Sequence, residues 1–189
     1  MPPTQPNPTA PKPLILAWLA TGLFIPCLSA IGRPLQHWTF QNVGETTAGW
    51  VIGLLLVGLG AMALHWLAGL PLTGKHYTII LTTIVLLGVF IAIIVLLPRT
   101  EERLHFVTFG LFGFLCRRLF PLWAASIVML LWAGGDELFQ AWLPDRVGDW
   151  RDVGMNTLAG AIGLGVAWLG SRYSQHDKNS IPSSSRGEG

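Results

Sequence analysis

The sequence predicts an all-α fold, a polytopic membrane bundle of about six transmembrane helices. Of its 189 residues 51% are hydrophobic and only 12% are charged, whereas soluble globular domains carry about 25% charged residues. Several apolar runs approach the roughly 20 residues that cross a hydrocarbon core as a helix. A soluble enzyme, a nucleic-acid-binding protein and a disulfide scaffold are disfavoured, because the net charge is only +2 and there are two cysteines.

Six apolar segments follow one another along the chain, and they are residues 14–31, 50–70, 77–97, 104–116, 119–133 and 153–169. Prolines near the ends of the first three segments predict where those helices stop, at Pro13, Pro34, Pro71 and Pro98. The fourth segment is short and precedes Arg117 and Arg118. It is either a tilted span whose arginines reach the interface or a re-entrant or interfacial segment.

The two ends of the chain differ in composition from its middle. Residues 1–13 contain six prolines and residues 171–189 are rich in serine, glycine and charge, so both are predicted to be disordered tails. Between them we predict N-terminal transmembrane helices over residues 14–71 and a four-helix module over residues 77–170. Seven Lys and Arg residues fall on the N-terminal side of the membrane and five on the other, which predicts that both termini are cytoplasmic.

The few charges are concentrated in two places. Of ten acidic residues, five lie within residues 136–152, and two more are Glu101 and Glu102. Asp136 and Glu137 directly follow an apolar run, at the membrane boundary, where ionisable side chains are costly and therefore pair or serve a function. Gln140 is four residues from Asp136 and three from Glu137, so it shares a helix face with both.

The predicted topology brings residues 99–105, 136–146 and 152–156 to one membrane face. We expect a pocket there, with Asp136 and Glu137 as candidate catalytic groups and with five candidate ligand-binding residues, His105, Gln140, Arg146, Asp152 and Asn156. The last span carries small residues at every fourth position, Ala159, Gly163 and Ala167. This spacing predicts that another helix approaches closely, with Asn156 at the interface.

Two interpretations of the acidic pair remain open. In the first, the pKa values of Asp136 and Glu137 differ, so that one acts as an acid and the other as a base. In the second, the two carboxylates form ion pairs with Arg146 or Arg151 that hold a loop in place.

His105 also has more than one interpretation. It forms a hydrogen bond near a helix start, it transfers protons or contacts a headgroup, or it joins Glu102 as an E-x-x-H metal pair. There is one such pair and not two, so we predict no metal and no cofactor. The cysteines, Cys27 and Cys116, are placed too far apart to form a disulfide.

The polar string in the second half resembles the signature of VanZ-like membrane proteins. Its parts are Asp136-Glu137-Leu138-Phe139-Gln140, Pro144-Asp145-Arg146, Asp149, Asp152-Val153 and Asn156, then Gly160 and Gly163, with Arg103-Leu104-His105-Phe106 upstream. The likeness spans residues 99–169. Asp145 stands where many members have glycine, and Ala159 stands where the family's first small residue after the asparagine is expected.

The resemblance implies a multi-pass protein of the bacterial inner membrane, whose founding relative is linked to glycopeptide (teicoplanin-type) resistance. It implies no established reaction.

Our leading hypothesis is non-enzymatic binding of a polar or anionic headgroup, lipid-linked precursor or glycolipid at the outer membrane face. Arg146 would hold the anion, and Gln140 and Asn156 would orient it. Membrane lipids are the expected partners, and nucleic acid is not expected.

Two other functions remain open. The first is a membrane-embedded hydrolase or transferase that acts on a lipid-linked substrate with Glu137 or Asp136 as acid and base. The second is a transporter, which is less favoured because six helices offer a small pathway unless the protein forms a homo-oligomer.

Overall fold

The computed structural model describes residues 11–44, 46–47, 49–50, 53–54, 77–144, 146 and 148–180. These residues contain five long helices and no strand, namely α1 (Lys12–Asn42), α2 (Tyr77–Leu96), α3 (Thr100–Leu119), α4 (Leu122–Trp142) and α5 (Trp150–Ser180). The all-helical class is therefore confirmed. The predicted span over residues 50–70 lies almost wholly outside the described residues, so the count of six is not confirmed.

Four of the described helices are long and apolar enough to cross a membrane, and they are α1, α2, α4 and the Trp150–Tyr173 part of α5. Their outward-facing side chains are large and hydrophobic, such as Leu81, Val95, Leu96 and Leu131. Contiguous apolar surface of this kind is rare on soluble monomers. The bundle is built to lie in lipid.

Helix α1 is longer than the sequence suggested. Pro34 was predicted to end it, but the helix continues through both Pro26 and Pro34 to Asn42, so this prediction was wrong. A proline removes one backbone hydrogen bond, and a helix in a packed bundle tolerates that loss. The prediction for Pro98 is confirmed, because α2 ends at Leu96 and α3 starts two residues after the proline.

Helix α3, the doubtful fourth segment of the sequence, lies in the middle of the bundle and contacts every other described helix. Phe106, Phe109 and Phe112 lie on it and are the largest fully buried side chains. Glu101 and Glu102 occupy its first turn and arginines its last, which matches the helix dipole. Most of α3 is buried against protein, with Leu111 50% exposed, so it does not need the uniformly apolar composition of a lipid-exposed span.

Helices α3 and α5 approach each other at glycines. A methyl group added at Gly113 would overlap the Gly160 backbone, and one added at Gly163 would overlap the backbone of Gly110. Ala159 is fully buried in the same contact region. The predicted close approach to the small residues of the last span is thus confirmed, and α3 is the helix that makes it.

Helix α1 packs on α3 and α4 through aromatic rings. The Trp18 ring stacks on Phe112 with centroids 6.1 Å apart, and the Trp132 ring centroid lies 5.4 Å from that of the same phenylalanine. The Trp132 indole also donates a hydrogen bond of 3.0 Å to the Gly22 carbonyl. These contacts fix α1 against the bundle and carry its second half to the polar end.

Helix α5 extends beyond the predicted span of residues 153–169 in both directions. It begins at Trp150, ends at Ser180 and buries Tyr173. The segment expected to be a polar tail from residue 171 therefore starts inside this helix. A helix of 31 residues is about 46 Å long and exceeds the roughly 30 Å hydrocarbon core, so its last turns need no apolar residues.

Both cysteines are free. Cys27 is exposed on α1, whereas Cys116 is buried on α3. The Trp18 indole N–H lies 3.2 Å from the Cys116 sulfur and donates to it.

Candidate functional site

Buried polar side chains collect at one end of the bundle. They come from the second half of α1, the first turns of α3 and α5 and the last turns of α4, and they are Ser29, His105, Asp136, Glu137, Gln140 and Asn156. The three polar segments that the sequence assigned to one membrane face do meet at this end. Helix α1 joins them, although its residues were not among the predicted site residues.

A serine lies between a histidine and an aspartate. The Ser29 hydroxyl donates a 2.7 Å hydrogen bond to Asp136 Oδ1, and its oxygen lies 3.0 Å from His105 Nε2. His105 Nε2 is also 3.7 Å from Asp136 Oδ2. On the other side of the ring, His105 Nδ1 lies 3.1 Å from the Glu101 carbonyl oxygen. The three side chains thus connect α1, α3 and α4.

The donors and acceptors of this network require one shared proton. The Glu101 carbonyl only accepts, so His105 Nδ1 carries hydrogen. Ser29 has a single hydrogen for its contacts with Asp136 and His105, so a second proton is needed, and with this proton on His105 Nε2 an imidazolium would face a carboxylate. Moving one proton through the Ser29 hydroxyl gives neutral histidine and neutral aspartic acid. Both arrangements have zero net charge, so burial does not leave an uncompensated ion.

Gln140 links both acids of α4 to an arginine. Its amide nitrogen donates to Asp136 Oδ2 at 2.9 Å and to Glu137 Oε1 at 3.1 Å. Its oxygen accepts a 3.3 Å hydrogen bond from Arg146 Nη1. The prediction that Gln140 shares a face with both acids is confirmed. The carboxylates and the guanidinium together determine which way the amide points.

Glu137 attaches the end of α4 to the loop before α5. Its second oxygen, Oε2, accepts a 3.1 Å hydrogen bond from the backbone N–H of Asp149. Gly148 packs closely here, since a methyl group at that position would lie 2.9 Å from the Glu137 carbonyl oxygen. Both carboxylate oxygens of Glu137 are therefore engaged within the protein.

Arg146 and Arg151 form ion pairs with carboxylates other than Asp136 and Glu137, the partners considered from the sequence. Arg146 Nη2 lies 3.6 Å from Glu101 Oε2, and Arg151 Nη2 lies 3.4 Å from Glu102 Oε2. The first turn of α3 reaches both arginines across the polar end. Arg146 interacts with the α4 acids only through Gln140.

Arg146 is a buried cation with an incomplete set of hydrogen bonds. Its side chain is 9% exposed, and among the described residues Nη2 has no hydrogen-bond partner, since Glu101 Oε2 lies 3.6 Å away. Burial lowers the pKa of Arg146, while Glu101 opposes that shift and Arg33 adds to it. Guanidinium stays charged in proteins nonetheless. Arg146 is therefore a cation whose Nη2 has no hydrogen-bond acceptor within the part of the chain that the structure describes.

Two cavities adjoin Arg146. The smaller has a volume of about 50 Å³, enough for about one or two water molecules. The larger has a volume of about 400 Å³, within the range of small-molecule sites. The smaller cavity is lined by residues that include Glu101, Glu102, His105, Glu137, Gln140, Arg151, Asp152 and Asn156. The larger is lined by Ala30, Arg33, Pro34, His37, Leu143 and Pro144, and both cavities include Arg33 and Arg146.

Six of the seven predicted site residues line the smaller cavity, and Asp136 does not. Its side chain is only 1% exposed and lies behind the wall, bonded to Ser29 and Gln140. Sequence reasoning missed Ser29 and Arg33. They are four residues apart and so share one face of α1. That spacing of two polar residues was the sequence feature from which both could have been predicted.

A family model described as VanZ/LLP1 matches residues 22–171, which is most of the chain. The chain belongs to the VanZ/LLP1 family. The four apolar helices and this match together make it a VanZ-like membrane protein. The match begins inside α1, so it includes Ser29 and Arg33 as well as residues 99–169, which carry the resemblance in sequence. Searches of curated proteins and of solved structures gave no significant match.

Within the described part of this VanZ-like protein, no group of three or more His, Cys, Asp or Glu side chains is arranged to hold a metal ion. His105, which was considered with Glu102 as a metal pair, has both ring nitrogens in hydrogen bonds to Ser29 and the Glu101 carbonyl. Its position supports the interpretation of a histidine hydrogen-bonded near a helix start.

Replacing Ser29 with alanine in this VanZ-like bundle is expected to lower the free energy of unfolding by about 1–3 kcal/mol, because a buried acceptor and a buried donor both lose their partner. Ser126→Ala is the matched control, since the Ser126 hydroxyl is exposed and bonds only to the carbonyl of Leu122 in its own helix. Detergent unfolding curves of the two variants should differ clearly. Equal stability would contradict the role of Ser29 as a bridge.

Proposed function

We propose that this VanZ-like membrane protein binds the polar or anionic headgroup of a lipid, glycolipid or lipid-linked precursor at the polar end of its bundle, without catalysing a reaction. One observation carries the proposal. Arg146 is a buried cation at the boundary of two cavities, and no described residue supplies a hydrogen-bond acceptor to its Nη2. An anionic oxygen in either cavity would supply that acceptor.

The surroundings of Arg146 are suited to this role. Gln140 holds Nη1, and the other terminal nitrogen, Nη2, lies 3.6 Å from Glu101 Oε2. Charge-assisted hydrogen bonds from arginine to anionic oxygens are among the strongest in proteins. Asp152 and Asn156 lie in the wall of the smaller cavity and would orient hydroxyl or amide groups of the headgroup.

The enzymatic alternative has weaker geometric support. A general base needs an oxygen that is accessible to the reacting proton. Both oxygens of Glu137 accept hydrogen bonds from the protein, and the Asp136 side chain is almost completely buried. Retained turnover in an Asp136→Asn and Glu137→Gln double variant would exclude these two groups from any reaction.

The proposal also includes a location. It places the protein in the bacterial inner membrane with the polar end at the outer face and both termini in the cytoplasm, from the distribution of Lys and Arg. A contribution to teicoplanin-type glycopeptide resistance rests on the family resemblance alone. Membrane lipids are the proposed partners.

Arg146→Gln tests the proposal directly. The variant removes the charge and the unpaired N–H, so the amount of the lipid class that co-purifies with wild type should fall about tenfold, the loss expected for one charge-assisted hydrogen bond. Lipids extracted from protein purified in mild detergent would be quantified by mass spectrometry. Arg118→Gln is the control, because Arg118 is exposed in the last turn of α3, at the opposite end of that helix from Glu101. Identical lipid profiles for wild type and Arg146→Gln would reject the proposal.

A further inference from the structure

We infer that the bound headgroup carries a phosphate, and that Arg33, His37 and Arg146 hold it in the larger cavity, between α1 and the segment after α4. This inference rests on the proposed function and names the chemical class of its ligand. The proposed anion lies in the larger cavity, whereas most of the site residues predicted from the sequence line the smaller one.

The wall that α1 contributes is one face of the helix. Ala30, Arg33, Pro34 and His37 have the spacing of successive turns. Arg33 lies 21 residues after the start of α1, or about 32 Å along the axis. Since the hydrocarbon core is about 30 Å thick, a helix that starts at one boundary places Arg33 and His37 at the depth of lipid headgroups on the other.

The two cavities differ in charge. Among the described residues, the larger cavity is lined by three basic side chains and no carboxylate, together with apolar Leu143 and Pro144. Glu101 lies outside this lining, and its Oε2 is 3.8 Å from Arg33 Nε and 3.6 Å from Arg146 Nη2. The smaller cavity has four carboxylates and four arginines in its wall, so its formal charges balance. An anion is therefore attracted more strongly in the larger cavity than in the smaller one.

A phosphate matches the number and direction of the donors. Arg33 and His37 approach from α1, and Arg146 approaches from the segment after α4. Phosphate presents three or more acceptor oxygens in different directions and is a preferred partner of the arginine fork. A carboxylate has only two oxygens in one plane, so it reaches groups that approach from different directions less well than a phosphate does.

Exposed apolar side chains flank the face of α1 that lines this cavity. Ile31, Leu35 and Trp38 lie beside it on α1 and are each more than half exposed. Tryptophan is enriched at the membrane interface, and the aliphatic side chains offer an apolar surface to an acyl chain. A cavity of about 400 Å³ accommodates a headgroup while the chains stay in the bilayer.

The test is a lipid titration of the delipidated full-length protein in detergent, followed by native mass spectrometry. The probes are phosphatidic acid, which carries a phosphate monoester, oleic acid, which carries a carboxylate, and inorganic phosphate. Wild type and Arg118→Gln should bind phosphatidic acid at least about tenfold more tightly than oleic acid. In Arg33→Gln/His37→Gln this preference should fall about tenfold. Arg33→Lys, which keeps the charge, should retain most of it.

The outcomes distinguish a phospholipid from free phosphate as the ligand, and they distinguish the phosphate site from the proposed function. If inorganic phosphate binds far more weakly than phosphatidic acid, the ligand is a lipid; if it binds as tightly, the ligand is a free phosphate, and both results support phosphate binding. Equal affinity for phosphatidic acid and oleic acid in wild type overturns the inference. So does unchanged phosphatidic acid binding in an Arg33→Gln/His37→Gln variant that has the wild-type circular dichroism spectrum.

The proposed function is judged by Arg146→Gln. Loss of the co-purified lipid in that variant, together with unchanged phosphatidic acid binding in Arg33→Gln/His37→Gln, rejects the phosphate site and leaves headgroup binding at Arg146 in place. Unchanged lipid in Arg146→Gln rejects the proposed function itself.

Discussion

Replacing Asp136 with alanine is expected to lower the free energy of unfolding of the bundle by about 3–5 kcal/mol, the cost of removing one partner of a buried ion pair. The carboxylate accepts hydrogen bonds from Ser29 and Gln140 and faces His105. Its loss leaves two buried donors without an acceptor and removes the group that balances the shared proton. Equilibrium unfolding in mixed micelles with increasing dodecyl sulfate measures the change.

Asp149→Ala is the matched control for Asp136→Ala. Asp149 is exposed, and its carboxylate accepts one hydrogen bond from the Arg151 backbone at the start of α5. Loss of such a cap costs about 1 kcal/mol. A cost for Asp136→Ala as small as that of the control would contradict the buried network.

A double-mutant cycle with His105 tests whether the two groups share the proton. Removing Asp136 alone leaves His105 near Ser29 without its counter-charge, whereas removing both takes away the two charges together. The double variant should therefore lose less stability than the sum of the two single variants, by at least about 1 kcal/mol. Strictly additive losses would show that His105 and Asp136 do not interact.

Gly163→Ala is expected to destabilise the protein by about 1–3 kcal/mol, although alanine is normally the better helix former. The added methyl group would overlap the backbone of Gly110 on α3. A backbone atom cannot rotate away as a flexible side chain can, so α3 and α5 have to separate.

Gly154→Ala is the control for this prediction, because Gly154 lies on the same helix and has open space where its methyl group would be. It should leave stability unchanged or raise it by about 0.5–1 kcal/mol. Opposite signs for the two substitutions, measured by thermal unfolding in detergent, are the expected result. A stabilising effect at Gly163 would contradict the close approach of α3 and α5.

Much of the candidate site follows from spacing along the chain. Gln140 lies three and four residues after the two acids, and one helical turn is enough to predict that they share a face. The small residues around Gly163 predicted a close helix contact in the same way. Both features are local, so the periodicity of the helix determines them before any packing is known.

The pairing of charges did not follow from spacing. Arg146 and Arg151 lie close in sequence to Asp136 and Glu137, yet they form ion pairs with Glu101 and Glu102 of α3. Ser29 was missed for the same reason, since its partners are 76 and 107 residues away. Only the arrangement of α1, α3 and α4 brings these groups together.

The sequence by itself determined the membrane-helix class, the family and the end of the bundle where polar residues collect. Hydropathy and helical spacing carry that information, because lipid requires apolar spans and leaves charges at the boundaries. Only the tertiary structure decided that most of α3 is buried against protein, that Asp136 lies behind the cavity wall, and that Arg33 and His37 of α1 complete a basic cavity with Arg146. Those facts depend on distances between helices, which side-chain packing sets.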